Sequence, residues 1–259
     1  MAMTKTREEI EILRTCGRIL SEALGETVAA VKPGVTMREL DAIAEKAVRK
    51  RGATPSFLGY RAGGPAPFPS TVCISRNEEV VHGPGNRDIA LREGDVVGFD
   101  IGCWYKELCT DMAMSVGVGE VSGDVRSLMN VTKAALKNGI KAAKAGVPLQ
   151  SISRAIEKTV EPHGYGIVKS YVGHGVGHAV HEDPHVPNFV SKEFANPQLR
   201  AGMVLALEPM ITLGTDKVEL SDNDWSAITV DGSMAAHFEQ TIVITESGAE
   251  VLTPFPDEL

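Results

Sequence analysis

The chain repeats itself. KPGVTMRELDAIAEK, from Lys32 to Lys46, aligns with KAGVPLQSISRAIEK, from Lys144 to Lys158, at a constant offset of 112, and the same offset pairs Val48 with Val160 and Gly52 with Gly164. A second pair, LREGDVVGFD (Leu91 to Asp100) and LRAGMVLALE (Leu199 to Glu208), follows at an offset of 108. Two matches in the same order and at nearly equal offsets mark a duplicated helix-then-strand unit. Two copies are too few to stack as a solenoid, so the duplication points to two α+β halves packed about a pseudo-twofold axis. The halves run roughly 1–120 and 121–259 and are expected to form a single domain.

Composition agrees with a folded core: the 259 residues are 43% apolar and 23% charged, which excludes disorder as the main state. Every long apolar stretch is broken by a charge, Gly or Pro well before the ~18 residues of a membrane span. The first ten residues, MAMTKTREEI, contain no apolar signal core. A soluble, cytoplasmic protein is expected, with no membrane partner. The 26 Lys and Arg against 34 Asp and Glu leave a net charge of −8. With no basic run, neither a general grip on nucleic acid nor a sequence-specific one is expected. Cys16, Cys73, Cys103 and Cys109 show no CxxC spacing and read as free thiols in a reducing compartment.

Thr6-Arg7-Glu8-Glu9 and Thr36-Met37-Arg38-Glu39 are capping boxes, each opening a stretch with helical apolar spacing: Ile10, Leu13, Leu20, Leu24, Val28, then Leu40, Ile43, Ala47. Val125, Leu128, Leu136, Ile140 and then Ile152, Ile156, Val160 predict two more helices. Residues 94–102, 109–118, 202–212, 225–230 and 235–245 read as strands. The segment from Gly59 to Pro69, GYRAGGPAPFP, is a surface loop.

The repeat places Asp100 and Glu208 at the same position, each ending an otherwise apolar strand. One such carboxylate is ordinarily a strand-end residue, because buried carboxylates are rare unless paired or liganded. Two at symmetric positions favour a site. If Tyr105-Lys106 forms a two-residue turn, Asp111 stands directly opposite Asp100. The turn lacks the favoured Asn-Gly or Asp-Gly. Like charges so opposed require a proton or a shared cation.

GHGVGHAVHEDPHVPNF carries His174, His178, His181 and His185. His181 to His185 fits HExxH, but Pro184 breaks the helix that this zinc motif needs, at about 3 kcal/mol. Gly175 and Gly177 between His174 and His178 each cost about 1 kcal/mol in a helix, and read as letting backbone approach a ligand. Gly117-Val118-Gly119 misses GxGxxG, so no dinucleotide site is expected. Glu239, in AAHFEQTIVIT after an Asp231-Gly232 hairpin turn, points one way along its strand with His237 and Thr241 and alone reads as a solvated face residue.

Taken together, VVHG (80–83), FDIG (99–102), CTDM (109–112), GHGVG with VHEDP (173–184), ALEP (206–209) and HFEQT (237–241) resemble the methionine aminopeptidases, in order and over nearly the whole chain. The resemblance implies their pita-bread fold: α+β, two pseudo-twofold-related α/β halves with a central antiparallel sheet and outer helices. It implies Asp100, Asp111, His174, Glu208 and Glu239 as ligands of two divalent ions, Asp111 and Glu239 bridging. It makes His82 and His181 catalytic histidines outside the ligand set, with Glu208 also the general base, His181 supporting the oxyanion and His82 contacting the substrate amide. Four carboxylates and two divalent ions balance in charge, so the site is neutral only when loaded. A donor set of one imidazole among hard oxygens suits Mn, Fe(II) or Co, with Zn also admitted. The implied reaction is removal of the initiator methionine from nascent chains with a small second residue, by a monomer for which transient ribosome contact stays open.

The spacing from His174 to Glu208 leaves no room for the insertion of the type II enzymes, so the likeness is to type I, and the start at the first catalytic-domain helix resembles bacterial forms. An X-Pro aminopeptidase or prolidase is the alternative enzyme, and a non-catalytic pita-bread binding module the alternative of another class. The likeness departs at the pocket. Val180 stands where many relatives carry an aromatic, Phe57 where they often carry Cys, HGPG replaces HGIP, and the 60–69 loop is longer. Phe57, Tyr60, Phe68 and Trp225 are the expected walls of the methionine slot, which Val180 would widen.

Overall fold

Both capping boxes form. In the computed structural model, which describes residues 4–61 and 66–259, α1 (Arg7–Ala29) and α2 (Met37–Arg49) each begin with a threonine whose hydroxyl accepts from the amide three residues on, at 3.2 Å in both cases. The glutamates answer reciprocally, Thr6 N donating to Glu9 at 2.6 Å and Thr36 N to Glu39 at 2.8 Å. The second copy gives α3 (Gly123–Ala142), capped by Ser122, and α4 (Gln150–Val160). Pro148 occupies the position of Thr36 there, and α4 takes its cap from a distance, Gln150 N donating to Asn196 Oδ1 at 2.9 Å. The inner faces of the four helices bury Leu20, Leu40, Leu136 and Ile156 in one core with the strands, each such side chain contributing about 1.5–3 kcal/mol.

Among the described residues nine strands, all antiparallel to their neighbours, make the main sheet: β1 (Thr54–Pro55), β2 (Val72–Arg76), β3 (Val96–Tyr105), β4 (Leu108–Gly117), β5 (Gly173–Gly175), β6 (Glu182–Val186), β7 (Val204–Leu207), β8 (Glu239–Ile244) and β9 (Ala249–Val251). They run in the order β1-β3-β4-β8-β7-β5-β6, with β2 on β3 and β9 on β8. The duplication is visible in single hydrogen bonds. Gly34 N donates to Leu91 O and Leu91 N to Val35 O, both at 2.8 Å; the partners Gly146, Leu199 and Val147 repeat the pair at 2.8 and 2.9 Å. Gly94 and Gly202, equivalent by the repeat, share φ of +88°, a conformation that favours glycine. Repeat copies β3 and β7 flank the central β4–β8 seam.

Three strand expectations need correction. The β3–β4 turn is Lys106-Glu107, not Tyr105-Lys106: both residues have positive φ, +47° and +65°, as a primed two-residue turn demands. The register therefore shifts by two, pairing Asp100 with Ala113 and Gly102 with Asp111, which keeps both aspartates on one face as diagonal neighbours. The runs 202–212 and 235–245 are each broken. Glu208-Pro209 separates β7 from Met210–Thr212, and Phe238 separates Ala235–His237 from β8. Met210–Thr212 and Ala235–His237 pair in a small second sheet, so the chain leaves the main sheet at Glu208 and re-enters at Glu239. The Asp231-Gly232 turn forms, yet the segments on either side, Ala227–Thr229 and Ala235–His237, join different sheets and make no hairpin. At the Gly/Pro loop, Gly59 N to Phe68 O (2.9 Å) and Phe68 N to Tyr60 O (2.8 Å) close the base, while residues 62–65 lie outside the described residues. All four cysteines are free and buried, and no described helix is long and apolar enough to cross a membrane.

Candidate metal centre

The place where the chain changes sheets is where its carboxylates meet. Leu207–Gln240 and Met210–His237 are paired in one register on either side of the break, which sets Glu208 across from Glu239. Asp100 and Asp111 come from the middle of β3 and β4. His174, central in β5, is paired with Ala206 two residues before Glu208. One oxygen each of Asp111 and Glu239 and one ring nitrogen of His174 lie within 4.8 Å of one another. His174 Nε2 is 3.6 Å and His237 Nε2 3.5 Å from the Glu208 oxygens.

A cavity of about 520 Å³ opens here, and the eleven residues read from the sequence as ligands, catalytic histidines or slot walls all line it: Asp100, Asp111, His174, Glu208 and Glu239, the histidines His82 and His181, and Phe57, Tyr60, Phe68 and Trp225. No Lys or Arg does so among the described residues. The electrostatic consequence is plain. Burial, then the Glu208 charge, push Asp100 up to about 8. Burial, then the Asp100 charge, push Asp111 well above the usual carboxylate range. Glu208 and Glu239 rise for the same reasons, burial first and the Asp111 charge next. Burial lowers His174 and His237 to about 3 and His82 to about 4. The histidines are neutral, so they bring no positive charge to the acids and leave the imidazole free to ligate.

The donor set fits a divalent ion. Asp100 Oδ1, Asp111 Oδ1 and Glu239 Oε1 are buried with no hydrogen-bond partner, whereas buried polar atoms are ordinarily satisfied. A cation would satisfy all three. Glu239 is only 2% exposed, so the solvated-face reading fails for it.

His82 directly follows the short strand Glu79–Val81 with φ of +62°, an uncommon conformation for a non-glycine residue and one that gathers at functional sites; its ring meets Tyr171 edge-on, centroids 5.1 Å apart. His181 lies in the turn between β5 and β6. That turn is tied down from inside: Glu182 accepts from the His178 and Ala179 amides at 2.5 and 2.9 Å and pairs with buried Lys5 at 2.7 Å. Glu9 of α1 holds the His178 ring at 2.6 Å. The HExxH helix is absent, because Glu182–Val186 is the extended β6.

Two readings of the pocket change. Gly175 does not admit a ligand: a Cβ there would come within 2.3 Å of the Asp183 carbonyl, so the glycine permits close pairing of β5 with β6. Val180 is not among the residues lining the cavity; it is buried in one apolar cluster with Phe57 and Phe68, which do line it. Sequence reasoning missed Cys73, paired with Asp100 across β2–β3, and Tyr171, both of which line the cavity. It also missed the contact of His237 with Glu208. A lone cysteine and a tyrosine outside any motif carry no signal; His237, two residues before Glu239, could have been found from the strand break.

Known proteins resemble this chain closely. The model of metallopeptidase family M24 matches residues 11–246. A methionine aminopeptidase of Clostridium acetobutylicum is 44% identical over 98% of this chain and 99% of that protein. The crystal structure of methionine aminopeptidase from Thermotoga maritima superposes with a TM-score of 0.92 at 40% identity, covering 98% of this chain and 99% of that one. The prolidase of Pyrococcus furiosus is more distant, with a TM-score of 0.77 and 25% identity over 97% of this chain and 65% of that one.

Proposed function

The chain belongs to metallopeptidase family M24, and from that premise we propose that it is a methionine aminopeptidase of the type I, bacterial-like form, removing the initiator methionine from nascent proteins and peptides with a small second residue. The observation that carries this reading is the set of buried, partnerless oxygens on Asp100, Asp111 and Glu239 beside neutral His174. Asp100, Asp111, His174, Glu208 and Glu239 would hold two divalent ions; the hard donors suit Mn, Fe(II) or Co, with Zn also admitted. When bound, the ions supply a nucleophile from water near neutral pH and polarise the scissile carbonyl.

The chain's own residues do the rest. Glu208, whose affinity for a proton is raised by burial and by Asp111, takes the proton of the attacking water on its carboxylate and returns it to the leaving amine. His181 donates to the oxygen that gains charge, a contact worth most in the transition state. His82, neutral and with one N–H to give, orients the substrate amide. Phe57, Tyr60, Phe68 and Trp225 wall an apolar slot for an unbranched thioether, Phe68 and Trp225 packing edge to face at 5.1 Å. In this reading the whole chain is one catalytic unit whose halves divide near residue 120. It works as a cytoplasmic monomer on the N-termini of nascent chains.

Cleavage of Met-Ala-Ser against an Xaa-Pro peptide, by enzyme stripped of metal and returned to Mn, Fe(II), Co or Zn singly, tests the assignment. Preference for Met-Ala-Ser is expected with at least one of the ions. Faster cleavage of the Xaa-Pro peptide would transfer the chain to the prolidase-like alternative, and no cleavage of either would favour the binding module.

A further inference from the structure

The base of the Gly/Pro loop does more than close a turn. Tyr60 is held by its backbone from both sides, its N–H donating to Phe57 O at 2.8 Å and its carbonyl accepting from Phe68 N at 2.8 Å. That anchoring delivers the phenol to His181: Tyr60 Oη lies 2.9 Å from His181 Nδ1, with ring centroids 5.5 Å apart. A wall residue needs its ring alone, and Phe would serve as well. The hydroxyl is therefore unaccounted for by the slot.

We infer that Tyr60 is a positioning residue, whose hydroxyl donates to Nδ1 and thereby fixes His181 as the tautomer carrying its proton on Nε2. A neutral imidazole has one N–H and one acceptor nitrogen, and the partner of one nitrogen decides which is which. The phenol is the stronger acid of the two groups, so O–H to N is the favoured direction. Nδ1 is the one acceptor that the described residues offer the Tyr60 hydroxyl. With Nδ1 so occupied, Nε2–H on the opposite edge of the ring is left for the cavity that His181 lines. Without it, the ring would sample both tautomers and flip, and only part of the population would present a donor. The inference rests on the donor role given to His181 above.

Two readouts separate the ideas. Nitrogen-15 NMR of the zinc-loaded enzyme at about pH 8, well above the ordinary imidazole pKa, reads the tautomer directly, with His181→Ala assigning the resonances. The Nε2–H form is expected in wild type and a mixture in Tyr60→Phe; the Nδ1–H form in wild type, or no change in Tyr60→Phe, overturns the inference. In steady-state cleavage of Met-Ala-Ser, Tyr60→Phe should lower kcat roughly tenfold, the rate equivalent of one hydrogen bond. KM and the preference for Met over Leu should stay in place. In a His181→Ala background the same substitution should cost nothing further, whereas additive losses would mean that Tyr60 acts on its own. If His181→Ala leaves kcat intact, the donor role of His181 fails, and the tautomer measurement still decides the Tyr60 contact.

Discussion

At Asp100, burial and the neighbouring Glu208 charge act in the same direction, lifting the carboxyl from 3.8 to about 8. A carboxyl raised on folding holds a proton in the native state that the unfolded chain has already released. Between about pH 4 and 8 the folded form thus binds more protons, and stability falls as pH rises. Asp111, Glu208 and Glu239 are raised too and add in the same sense. The melting temperature of chelated protein should therefore drop on going from about pH 5 to about pH 8, and returning a divalent ion should restore most of it at the higher pH. A chelated protein that grows more stable over that range would contradict the electrostatics. His181 is a different kind of residue, outside the donor cluster. Its replacement by Ala should lower kcat and kcat/KM together, with metal content unchanged; a rise in KM alone would reduce it to a binding residue.

The elements that carry the site differ in how far the sequence revealed them. The helices of the first copy were legible because Thr6-Glu9 and Thr36-Glu39 are local signals satisfied within four residues. The β3–β4 register was not, because Lys106 and Glu107 adopt positive φ under tertiary constraint and neither residue advertises it. The breaks at Glu208-Pro209 and Phe238 fall inside runs that read as single strands; Pro209 marks the first, whereas nothing at Phe238 marks the second. The tie between the N-terminal segment and the β5–β6 turn is likewise non-local. Lys5 is buried and Glu182 half-buried, their side chains 1% and 9% exposed, and removing Lys5 leaves Glu182 only the His178 and Ala179 amides. Lys5→Ala should destabilise the protein by about 1–3 kcal/mol and lower the cleavage rate by releasing the turn that carries His181. Denaturant unfolding and kcat measured on the same sample check both effects; wild-type stability in the variant would mean that the pair contributes nothing.

At the scale of the molecule, duplication was the most legible property. The offsets of 112 and 108 correspond to matching hydrogen bonds around Leu91 and Leu199, and the carboxylates Asp100 and Glu208 that the repeat equates both reach one cavity. That His174 and Glu239 would share a cavity with Asp100, Asp111 and Glu208 was legible through resemblance alone, since neither has a counterpart that the repeat could point to. The four aromatics read as walls do line the cavity and Val180 does not, because a single position does not say whether a side chain faces the cavity or the layer behind it. The two copies place their acids on facing strands, and neither closes the charge of the other; a cation is what the fold leaves to be supplied. The most direct test is the methionine released from Met-Ala-Ser while manganese is returned to chelated enzyme, wild type beside Asp111→Asn. Wild type should rise from no activity to a plateau, and the variant, with near-native circular dichroism, should stay at least about 100-fold below it, the upper end of what even a residue supporting a ligand costs. Full activity in chelated wild type, or a plateau in Asp111→Asn equal to that of wild type, would contradict the account.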